Sequence, residues 1–162
     1  MNDAHFHLMV NHLPLVGVLI GFLTLLGGYI LKKNHVKITA LVIFIFSALT
    51  AIVAFKTGEG AESIVEHMPG VSETFIHKHE EQAELFLNII LLLGGTSLLT
   101  LFFQFKKLPL AKYGFLLVLI LSMTSLALSK SVGTSGGEIT HIEIRSDNQV
   151  IKIDTGHDQN DD

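Results

Sequence analysis

The stretch "LFLNIILLLGGTSLLTLFFQFKKLPLAKYGFLLVLILSMTSLAL", residues 85–128, consists of two apolar runs divided by "KKLPLAK". A helix rises 1.5 Å per residue, so Leu85–Phe105 and Leu108–Leu128, about 21 residues each, reach about 30 Å, the thickness of a bilayer's hydrocarbon core. Neither run has the polar stripe of an amphipathic soluble helix. The divider is basic and contains Pro109, so the pair predicts a hairpin of two membrane spans. The pattern occurs once more: Leu8–Leu31 and Ile38–Phe55 flank "KKNHVK" at 32–37. The fold class is therefore all-α membrane, a bundle of four transmembrane helices in the lipid bilayer.

Composition agrees. Of 162 residues, 49% are hydrophobic and 16% charged, with a mean hydropathy of +0.51, too apolar for a soluble domain of this size. There is no cysteine, which excludes disulfides, thiolate metal ligands and covalent c-type haem attachment on this chain. Tryptophan is absent as well, leaving Tyr29, Tyr113 and the phenylalanines for an aromatic belt. The flank Met-Asn-Asp-Ala is not basic and no small-residue cleavage site follows, so the first run is expected to be a permanent span.

Both links carry lysine (Lys32, Lys33, Lys37; Lys106, Lys107, Lys112) and no acid. By the positive-inside rule they face the cytoplasm, which puts both termini and the segment 56–84 outside an inner-membrane, multi-pass protein. All fifteen acids and eight of the nine histidines then lie outside; His35 alone is inside. The outer segment starts with a Thr57-Gly58 turn, forms a short helix over Ala61–His67, and is ended by Met68-Pro69-Gly70. Ser72 is a weak N-cap for the third span, without the usual Glu or Gln partner. Past the fourth span, "EITHIEIR" and "QVIKID" alternate around "SDN" and predict a C-terminal β-hairpin. The organisation expected is a bundle over 1–130 with an outer loop at 57–80, a hairpin over 131–155 and a disordered tail over 156–162.

Polar groups from three span ends meet one membrane face: His5, His7 and His12; His77, His79, Glu80, Glu81 and Glu84; Glu138 and His141. Glu59, Glu62 and His67 join from the second. Bundles build metal and cofactor sites from facing helices in this way. His12 sits at the lipid boundary beside Pro14, which either frees the Val10 carbonyl within a continuous helix or opens the helix with His12 in its entry turn. On the third span, His77, Glu80, Glu81, Glu84, Asn88 and Gly95 share one side at 100° per residue. Asn88, the strongly polar residue at mid-span, assigns that side to the bundle interior, and His79 falls elsewhere, with Ala83, Phe86 and Ile90. There is no phosphate-cradling loop, nucleophile triad, zincin motif or basic nucleic-acid patch.

At "HLMVNHLPLVGVLIG" (7–21), "TGEGAE" (57–62), "PGV" with "HEEQAE" (69–84) and "GGEITHIEIR" (136–145), the chain resembles the bacterial membrane family catalogued as domain of unknown function 2231. The likeness spans about residues 5–145. It implies four helices, no established activity, and a respiratory setting, since such modules occur joined to cytochrome or Rieske-type domains. The positions it carries are Asn11, His12, Gly58, Glu62, His79, Glu80, Gly137, Glu138 and His141. It thus points to His79 where spacing points to His77.

The leading expectation is a redox module associated with respiratory electron transfer, binding haem b or a divalent ion (iron, manganese or zinc). Its candidate cofactor ligands are His12, His77, His79 and His141, with Glu62, Glu80, Glu84 and Glu138 as further metal ligands. A periplasmic cytochrome or other redox protein is the expected partner, and a homo-oligomer is compatible. The alternative is a non-catalytic membrane subunit whose outer polar cap docks a periplasmic partner. A proton- or ion-conducting site has only Asn88 to support it.

Overall fold

The structure, a computed structural model, describes residues 2–145. It is all-helical among those residues: α1 (Asp3–Val10), α2 (His12–Ile30), α3 (Asn34–Val65), α4 (Glu73–Phe105), α5 (Ala111–Thr140) and a 3₁₀ turn at Ile142–Ile144. Asn2 caps α1; its Oδ1 accepts the His5 amide at 2.9 Å. Only Asn11 separates α1 from α2, and it keeps helical dihedrals, so the two act as one bent rod. Four helices (α1–α2 together, α3, α4, α5) are long and apolar enough to cross a membrane.

The bundle is assembled on a seven-residue repeat. Buried positions step by four and three along α2 (Pro14, Val18, Gly21, Leu25, Gly28) and along α4 (Phe86, Ile90, Leu93, Ser97, Thr100). The same steps run along α3 (Ala40, Phe44, Ser47, Ala51, Ala54, Ala61) and α5 (Phe115, Val118, Ser122, Ser125, Ser129, Val132). This repeat keeps a narrow seam facing the partner helices. Between Ala54 and Ala61 the missing step is Gly58. The remaining faces are apolar and exposed, as at Leu23, Phe46, Leu49, Leu92, Leu99, Leu116 and Ile120, which suits lipid contact and no aqueous surface.

Small residues let the rods approach. A Cβ at Gly94 would overlap the Ala48 methyl, and one at Gly17 would overlap the Ser47 hydroxyl. Packing of this kind holds membrane helices together where water cannot. Most buried hydroxyls bond their own helix, as Ser47 to the Ile43 carbonyl at 2.8 Å and Thr100 to that of Thr96 at 2.7 Å. Both lysine links close in one geometry. Lys32 and Lys107 take left-handed φ of 53° and 54°, while the Lys33 amide bonds the Gly28 carbonyl and the Leu108 amide that of Phe103. These are Schellman stops with lysine where glycine is usual.

Helix length decides what lies outside the bilayer. α3, α4 and α5 have 32, 33 and 30 residues, or about 45–50 Å against about 30 Å of hydrocarbon. Counting about 20 residues from the lysine end places the other boundary near His12, Lys56, Glu84 and Lys130. Two to three turns of every helix project past it as a head.

Two expectations are corrected by that continuity. The Thr57-Gly58 turn does not form, because α3 runs unbroken to Val65; Gly58 occupies a core step beside the His7 ring. "EITHIEIR" is not a strand: Glu138–Thr140 end α5 and Ile142–Ile144 form the 3₁₀ turn. Ile142 and Ile144 stay about half exposed there and touch the helix end and the 68–70 stop on one side only, the Ile144 Cδ1 lying against Gly137 and the Ile142 Cδ1 against Gly70. The second expected strand and the tail lie outside the described residues. The stop at 68–70 forms as expected, with Gly70 at φ 82°, and Ser72 precedes α4 without a side-chain cap bond.

Candidate functional site at the polar end

The core repeat continues into the head and changes chemistry there. On α2 the seam Val18–Pro14 extends through Asn11 to His7. On α4 the seam Ile90–Phe86 extends through Ala83 to His79. Two imidazoles therefore take core positions, and both are half-buried. His7 donates from Nδ1 to the Ala54 carbonyl at 3.0 Å, with the Thr57 hydroxyl 3.1 Å away. A carbonyl can only accept, so the proton of His7 sits on Nδ1 and Nε2 carries the lone pair. His79 Nδ1 lies 3.1 Å from the Ser135 Oγ, whose own proton goes to the Val132 carbonyl. The His79 ring also packs over Gly136, and it lies within electrostatic reach of His7.

Around this layer run the ties between helices. Lys78 on α4 pairs with Glu138 on α5 at 2.5 Å. Ser131 donates to the Gln82 Oε1 at 2.7 Å. Arg145, only 6% exposed, donates from Nε to the Glu138 carbonyl at 2.7 Å and from Nη2 to those of Ile139 and Gly70. Its guanidinium lies 4.2 Å from the centre of the Phe75 ring on α4, and its bond to Gly70 joins the α3–α4 connection to the end of α5.

The expected ligands distribute differently. His12 is exposed at the lipid boundary. His77 is exposed and bonds Glu80 on its own helix at 3.0 Å. His141 is exposed and bonds Glu143 two residues on at 2.9 Å. The Glu143 amide, and then His141, hold the Glu143 carboxyl below its ordinary range. Glu62 faces Glu80 across α3 and α4. Glu84 is exposed, and Glu138 is buried against Lys78. Among the described residues no group of three His, Cys, Asp or Glu side chains is arranged to hold a metal ion.

The reading of α4 is thereby reversed. His77, Glu80, Glu81, Glu84, Asn88 and Gly95 all face outward, and His79, Ala83, Phe86 and Ile90 face the bundle. The four-and-three seam of apolar and small residues outweighs a single amide in setting the rotation of a membrane helix. His7 is the inward residue that spacing missed. Its register with Pro14 and Val18 was the available signal. Asn11, one turn from it, has its Oδ1 buried with no partner among the described residues.

Two shallow hollows lie on the head. One is lined by Asp3, Lys56, Thr57, Glu59 and Gly60, the other by Glu62, Glu66, Glu73, Ile76 and His77. Neither presents two imidazoles, so neither fits a haem held by two axial histidines. Comparison with known protein families, with curated proteins and with solved structures finds no match to this chain.

Proposed function

We propose that the protein is a non-catalytic membrane subunit whose head docks a partner with a basic face. One observation carries this: the division of polar groups between the interior of the head and its rim. Inside, Glu138, Arg145, His7, His79 and Gln82 are engaged in ties between neighbouring segments, and the exposed Lys78 reaches in to pair with Glu138. On the rim, Asp3, Glu59, Glu66, Glu73, Glu80, Glu81 and Glu84 are exposed. A rigid scaffold with an acidic surface attracts and orients a basic protein, and the field weakens with salt. A photo-crosslinking residue at Glu73 should, in native membranes, capture a partner through Lys- or Arg-rich peptides. Glu59→Lys with Glu66→Lys should remove that product. Equal capture from Leu116, on the lipid face of α5, would defeat the reading.

The redox module expected from the sequence retains one supporting observation. His7 and His79 point into the bundle with Nδ1 engaged, the arrangement that leaves Nε2 for a metal. The imidazole pair favours a bare ion over haem, given the shape of the hollows. Absorbance and elemental analysis of gently extracted protein test this, and protein free of both haem bands and stoichiometric metal would remove it.

A further inference from the structure

We infer that the exposed face of α4 is a seat for a membrane-spanning helix of a partner, one bearing Lys or Arg at its boundary and an amide or hydroxyl side chain one turn deeper. This rests on the docking reading and specifies the partner's membrane part. The face is a second seven-residue stripe, offset from the core seam: His77, Glu81, Glu84, Asn88, Leu91, Gly95, Leu98 and Phe102, every one exposed. Steps of four and three over this length keep one line of contact facing a neighbouring helix.

The chemistry changes along the stripe in the order a membrane helix would meet it. Glu81 and Glu84 lie at or above the boundary, where a basic residue completes them. Asn88 lies about 6 Å below Glu84 at 1.5 Å per residue. Threonines such as Thr24, Thr39, Thr50 and Thr124 return their hydroxyls to their own helices. A carboxamide has two donors and a carbonyl, so one such bond leaves groups facing lipid, and a neighbouring helix is what satisfies them. Gly95 lies two turns deeper, and a Cβ there would meet no atom within 4 Å. Its absence is therefore not required by this bundle's own packing; it allows another backbone close. A second copy of the chain is disfavoured, because a parallel pair along this stripe would oppose Glu81 and Glu84 to themselves.

The test uses the whole chain in phosphatidylcholine vesicles, labelled at an introduced Thr134→Cys. The probe is a dye-labelled Leu/Ala transmembrane peptide with Lys-Lys at one end and Asn four residues inside. Energy transfer should saturate, with association about tenfold tighter than for peptides carrying Leu for Asn or Glu-Glu for Lys-Lys, the size of one interhelical amide contact. Asn88→Leu and Glu81→Gln with Glu84→Gln should each erase most of that preference, and Leu116→Ala, exposed on α5 and off the stripe, should leave it unchanged. Equal transfer for all three peptides would overturn the inference, as would crosslinked homodimers from Asn88→Cys that exclude the peptide. Loss of the rim crosslink with the peptide preference intact would count against head docking alone; the reverse would count against this seat alone.

Discussion

Arg145 donates from Nε to the main-chain carbonyl of Glu138 at 2.7 Å, seven residues back, and so folds the chain after α5 onto the helix it has just left. The same guanidinium reaches Ile139 and Gly70. Arg145→Ala leaves buried carbonyls without a donor and should cost about 1–3 kcal/mol. Arg145→Lys should recover little, since an ammonium lacks the planar fork that serves several carbonyls while stacked on Phe75. Limited proteolysis of the 66–72 connection is the readout, with faster cutting expected in both variants.

His77 and His79 are two residues apart and should behave as opposites. His79→Ala removes a half-buried ring between α4 and Gly136 and should destabilise the protein by about 1–2 kcal/mol. His77→Ala breaks an exposed pair with Glu80 and should stay within about 0.5 kcal/mol. Denaturation of the two variants in mixed micelles compares them directly. Equal effects would mean that α4 is rotated from the orientation described.

Gly94 and Ser125 separate close packing from buried polarity. Any side chain at Gly94 presses on Ala48, so Gly94→Ala should cost about 1–3 kcal/mol by pushing α3 and α4 apart. The Ser125 and Ser97 hydroxyls are buried with no partner among the described residues. Ser125→Ala and Ser97→Ala should therefore be neutral or slightly stabilising, as the desolvated hydroxyl is removed together with its unmet bond. Thermal unfolding in one detergent ranks all three.

The lysine links determine the expected orientation. Cysteines introduced at Ser63 and Asn34 should react with an impermeant thiol reagent from outside and inside the cell respectively. The native chain has no cysteine to interfere. Labelling in the opposite sense would move the acidic rim and its partner to the cytoplasmic side.

The four spans, their order and the two basic links were legible in the sequence because hydrophobic length and charge partition act locally along the chain. Gly70 and Ser72 were legible for the same reason, since turn and cap chemistry is local. The hairpin failed on "EITHIEIR", where a period of two over eight residues is too short to outweigh a helix arriving with its hydrogen-bond ladder already formed. Thr57-Gly58 read as a turn because a glycine after an apolar span is a local stop signal, whereas the continuation of α3 to Val65 is set by its packing against α1 and α4.

The site was decided by rotation, which is a tertiary property. A helix of 33 residues offers its side chains around a full circle, and the sequence does not state which line meets the neighbours. In lipid both the inner and outer faces are apolar, so hydropathy cannot choose between them. Asn88 suggested one answer; the packing of Ala83, Phe86, Ile90 and Gly94 against α3 and α5 imposed the other. Polar residues marked one end of the bundle, and helix packing selected His7 and His79 for its interior and left Glu84, with Asn88 one turn deeper, on the outer face of α4.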